Sequence, residues 1–94
     1  MYAVFVEVNT SEERTEIARS FLPQRAAQLA SEGARGGYFL APQGGRGVSI
    51  VVWETEDKAR EMAGTVRVGE RPTPDAPEGV TVKSVEVREV LAAI

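Results

Sequence analysis

Between Tyr2 and Asn9 the chain runs YAVFVEVN, with β-branched or aromatic residues at most positions, and this predicts a strand. The period then changes. Ile17, Ala18, Phe21, Leu22, Ala26 and Leu29 recur at helical spacing as one apolar stripe, with Thr10 placed to cap the helix and Glu13 three residues on. Glu12, Glu13 and Glu16 set negative charge near the positive end of the helix dipole. Pro23 removes a hydrogen bond inside this stretch and predicts a kink, while Gly33 predicts its end. GGYFLAP, QGGRG and VSIVVWE read as strand, glycine-rich turn and strand, a β-hairpin. Thr55 caps a second helix, in which Ala59, Met62, Ala63 and Val66 keep helical spacing past Gly64 toward Gly69. The stretch from Arg71 to Gly79, RPTPDAPEG, has three prolines and no period, so it is a loop. A last strand starts at Val80, and its alternation slips phase at Lys83 and Ser84, the mark of a β-bulge.

FVEVNTSEERTEIA from Phe5 and IVVWETEDKAREMA from Ile50 align without gaps, placing Thr10 on Thr55 and Ile17 on Met62. Two strand-then-helix units in one short chain predict a split βαβ: an α+β, ferredoxin-like βαββαβ domain over residues 1–94, an antiparallel four-stranded sheet with two helices on one face. The strands are apolar on both faces. Tyr2, Val4, Val6 and Val8 oppose Ala3 and Phe5; Ile50 and Val52 oppose Val51 and Trp53; Tyr38 and Leu40 oppose Phe39. Two short helices cover one face, and wetting half a dozen such side chains on the other would forfeit about 10 kcal/mol, comparable with the stability of a whole domain. A second copy related by a two-fold axis is the simplest cover, so the chain is expected to form a homodimer, a dimeric α+β barrel.

Eleven basic against fourteen acidic side chains give a net charge of -3 and no electrostatic reason to approach nucleic acid. No apolar run is long enough to span a membrane, and a cytoplasmic location is expected. With neither cysteine nor histidine, the chain has no disulfide, no thiolate or Ser-His-Asp chemistry and no histidine-bound metal or haem. The carboxylates show no ligand spacing either, so neither cofactor nor metal is expected.

GYFLAPQGGRGVSIVVWETEDKAREMAG together with the closing VTVKSVEVREV resembles the antibiotic-biosynthesis-monooxygenase-like superfamily, in its uncharacterised actinobacterial branch. The resemblance spans nearly the whole chain and implies the dimeric barrel. It also implies an activity range from cofactor-independent oxygenation of phenolic compounds to no catalysis at all. The haem-degrading branch uses a histidine that this chain lacks. The oxygenase branch holds its substrate with Asn, Tyr, Trp or Arg side chains, and Asn9, Tyr38, Trp53 and Arg88 are of those types.

Each candidate also has a plainer role. Trp53, where a central strand meets a helix, forms either a pocket wall or core. Asn9 either orients a substrate carbonyl or serves a turn, and Tyr38 either donates to a phenolate or covers the dimer seam. Glu7 is the one acid in the first strand. Desolvated, it would be a base of raised pKa; on the rim, it would pair with Arg88 or Lys83. PQGGRG lacks phosphate-loop spacing and joins two strands, so it is a hairpin turn. Two functions follow. One is an oxygenase-like enzyme with Glu7 and Tyr38 as catalytic groups and Asn9, Trp53 and Arg88 binding a small aromatic compound. The other is a non-catalytic dimer that binds a small ligand or a protein.

Overall fold

In the computed structural model, which describes all 94 residues, β1 (Tyr2–Asn9) runs down the middle of a four-stranded sheet. After it come α1 (Thr15–Ser31), β2 (Gly36–Phe39), β3 (Arg46–Trp53), α2 (Glu56–Ala63) and β4 (Thr81–Glu89). The strand order is β2-β3-β1-β4 and every pairing is antiparallel, the ferredoxin-like arrangement expected from the two strand-helix units. No helix is long and apolar enough to cross a membrane.

Local chemistry explains most boundaries. Gly33, at φ 109, ends α1 in a Schellman motif: its N–H donates to the Ala30 carbonyl, and the Ala34 N–H reaches the Leu29 carbonyl at 3.0 Å. The hairpin closes on Gly44 and Gly45, both at positive φ, with reciprocal backbone bonds between Gln43 and Arg46 at 2.9 and 3.1 Å. That is a two-residue type I′ turn, whose twist matches the strands it joins. In β4 the register against β1 shifts between Glu7 and Val8, leaving Lys83 as the extra residue where the phase slip predicts a bulge.

Two expectations about the helices need correcting, the Thr10 cap and the far end of α2. Thr10 does not cap α1: its backbone N–H is tied to the Gly45 carbonyl at the hairpin tip, and a 3₁₀ turn over Glu12–Arg14 leads into the helix instead. Only Thr55, its counterpart in the repeat, caps with its side chain, accepting from the Lys58 N–H at 3.2 Å. The helix passes through Pro23 without ending. α2 stops at Ala63 rather than near Gly69, because Gly64 and two β-branched residues follow and the Thr65 hydroxyl takes the Met62 carbonyl at 2.7 Å.

Directly opposed residues share a face of the sheet. Val4, Val51 and Val87 lie on the helix side, with Tyr2 and Trp53 beside them. Ala3, Phe5 and Glu7, with their partners Val52, Ile50 and Val48, lie on the other side. Val4, Leu29, Trp53 and Ala59 form the core cluster. Only eight of 94 residues are buried, because no element of the chain covers the second face. α2 packs closely on β1, β3 and β4, whereas α1 stands further off, and that gap makes the site.

Candidate functional site

α1 is anchored to the core at its C-terminal end by Leu29, the one residue of the helix that is buried. Toward its N-terminus a cavity of about 190 Å³ opens between helix and sheet. Its floor is the apolar row Val4, Val6 and Val8 of β1, with Val51 and Trp53 of β3. Ile17, Phe21 and Leu22 of α1 form the roof, and Met62 and Val66 close one end. The segment after α2 forms the remaining wall through Pro72, Thr73, Ala76 and Pro77. That segment is anchored rather than loose. The Gly69 N–H donates to the Val82 carbonyl, the Val82 N–H donates to the Glu70 carbonyl, both at 2.8 Å, and Ala76 is buried.

The wall is almost wholly apolar, and its charged members are Arg14 and Arg25; no carboxylate lines it. Three buried polar atoms of lining residues have no hydrogen-bond partner in the protein: Arg14 Nη1, Trp53 Nε1 and Thr73 Oγ1. Buried donors without partners are costly, so three around one apolar space is an unusual concentration.

The candidates read from the sequence divide between the two faces. Trp53, 1 % exposed, is both core and cavity wall, with the Lys58 ammonium 5.7 Å from its ring centroid. Glu7, Asn9, Tyr38 and Arg88 all lie on the opposite side of the sheet and do not line the cavity. Asn9 donates to the Thr81 hydroxyl at 3.3 Å, Arg88 pairs with Glu86 at 2.9 Å, and Tyr38 is 73 % exposed. The odd and even positions of a strand cannot serve one pocket, which is why residue type alone grouped them wrongly.

Glu7 is paired rather than isolated. Arg46 Nε lies 3.1 Å and Lys83 Nζ 3.3 Å from its carboxylate, Lys83 being brought there by the bulge. The Arg46 hydrogen bond is the largest influence and, with Lys83, outweighs desolvation to hold its pKa below the ordinary carboxylate value, opposite to the shift a general base needs. Lys83 is one partner foreseen from the sequence; Arg88 is not the other. A folded pKa below the unfolded one contributes stability above the ordinary carboxylate range, lost as pH falls through the depressed value. Glu7→Gln is therefore expected to destabilise the protein at pH 7, and the gap to wild type should shrink as pH falls through the depressed value and the carboxylate becomes protonated. Urea titrations of the two proteins across pH 2–7 check this; a gap that persists undiminished at pH 2 refutes it.

Arg14 escaped the sequence analysis, and a signal for it exists. It is a cation in the opening turn of a helix otherwise begun by acids, where the dipole opposes positive charge. Phe21 and Phe39, which also line the cavity, carry no such signal. The chain matches no protein-family model, no curated protein and no solved structure.

Proposed function

We propose that the protein is a homodimeric binder of compact aromatic or similarly apolar small molecules, held between α1 and the sheet. The supporting observation is the cavity: about 190 Å³ of mostly apolar space in a chain of this size. An apolar cavity of roughly 150 Å³ is large enough for benzene, so this one suits a single substituted ring. Dimerisation is supported by the far side of the sheet. There Tyr38, Ile50 and Phe5 form a continuous row across three strands, flanked by Val48, Val52 and Ala3. A two-fold axis through that row would cover it with its own copy.

A second reading, cofactor-independent oxygenation of a phenolic compound, is favoured by Arg14, whose guanidinium would help ionise a phenol without a separate base. Glu7 and Tyr38 have no access to that substrate across the sheet, so binding is the better supported function. Trp53 is the chain's single tryptophan and lies at the cavity, so its fluorescence reports occupancy. Titration with indole-free aromatic probes, toluene and ethylbenzene, is expected to shift that emission saturably. No change with either probe, together with a native mass of one unliganded chain, would defeat the proposal. Oxygen uptake with a panel of anthrols and quinols tests the second reading.

A further inference from the structure

We infer that the natural ligand of the cavity is an anion, a compact apolar carboxylic acid whose charge is met by Arg14. This rests on the cavity being a binding site and adds the chemical class of what binds. Arg14 projects from the turn that opens α1, and its Nη1 is sealed from solvent with no partner in the protein. It takes part in no ion pair, and among the arginines without one, Arg25, Arg67 and Arg71 included, it alone has a buried nitrogen with no partner. Along the same cavity the only other charge is also positive, Arg25, whose guanidinium donates to the Gln28 amide and meets no carboxylate.

The start of α1 carries the positive end of its dipole, so Arg14 is placed where the fold gains least from a cation and where an anion gains most. The loop is laid against the guanidinium: a Cβ on Gly79, which sits at φ +91, would come within 3.0 Å of Arg14 Nη2. Glycine there both permits the turn and leaves the arginine its place. Trp53 Nε1 and Thr73 Oγ1 add two further buried donors seeking an acceptor. A neutral hydrocarbon would fill the space and leave all three unsatisfied. A carboxylate on a small apolar body satisfies a guanidinium by a charge-assisted bond in a site of low dielectric.

The test compares 4-ethylbenzoate, 4-ethylbenzamide and ethylbenzene, nearly alike in shape, by calorimetry and Trp53 fluorescence on the wild-type protein. The acid is expected to bind about 10- to 100-fold more tightly than the amide, the range for a hydrogen bond to a charged group. In Arg14→Met that preference of acid over amide should vanish, and Arg14→Lys should restore part of it. Circular dichroism confirms that the variants fold, and the wild-type comparison of acid with amide stands without them. If acid and amide bind equally, or if only ethylbenzene binds, the anion inference is overturned and the cavity remains a binding site. If Arg14→Met keeps the full preference, Arg14 is not the recognition group and the inference falls. If none of the three binds, the binding function falls as well.

Discussion

Trp53→Ala is expected to lower the unfolding free energy by about 3–5 kcal/mol, the range for truncating a large buried aromatic. The indole is 1 % exposed and packs in one cluster with Val4, Leu29 and Ala59, tying β3 and β1 to both helices. It also borders space that is already empty of protein, so its loss enlarges an existing cavity instead of being healed by a small collapse. Domains of this kind are stable by only about 5–15 kcal/mol, and the midpoint of thermal unfolding should fall by more than about 10 °C. Trp53→Phe should cost much less, since it keeps most of the apolar volume and the lost Nε1 had no partner to forfeit. Chemical denaturation followed by circular dichroism at one fixed protein concentration measures both. A loss under about 1 kcal/mol for the alanine variant would mean that the core is organised around another residue.

For the proposed dimer, Ile50→Lys is expected to leave a folded monomer. Ile50 lies between Tyr38 and Phe5 in the apolar row of the uncovered sheet face, with Val48 and Val52 flanking it on the same strand. Two-fold symmetry brings the substitution into the interface from both copies, so two unpaired ammonium groups would have to be desolvated together. An uncompensated buried charge costs about 3–5 kcal/mol, so the dissociation constant should rise by at least about 100-fold. The helix side of the sheet, with Val4, Val51 and Trp53, faces away from the substitution, so Trp53 emission and its response to ethylbenzene should be retained. Light scattering gives the mass directly. A wild-type mass of one 10.1 kDa chain at micromolar concentration would remove the dimer, and so would a variant that stays paired.

The site was less legible than the fold. Trp53 announced itself as the single tryptophan, placed where a central strand meets a helix, and the structure places it at the cavity. Glu7, Asn9, Tyr38 and Arg88 were grouped by chemical type, yet strand parity and pairing register put them on the far face. Arg14, Thr73 and Ala76 could not be grouped by any spacing, because 59 positions separate Arg14 from Thr73 and only the closing of the 71–79 segment over α1 sets them on one wall. Glu7 shows the same limit in its electrostatics. Lys83 reaches it because a bulge inserts one residue, and Arg46 reaches it diagonally across the strand pair.

Periodicity, glycine positions and capping residues act over a few neighbours, so by itself the chain determined four strands, two helices, a hairpin on a glycine-rich turn, the stop at Gly33 and the bulge near Lys83. It also determined that apolar residues would occupy both faces of the sheet, since alternation assigns each side chain to a face whatever lies above it. Tertiary structure alone decided how far α1 stands from the sheet. That distance depends on the volumes that meet from separate elements: a buried Leu29 at one end of the helix, and at the other an arginine held beneath Gly79. The cavity and its unpaired cation are consequences of that packing.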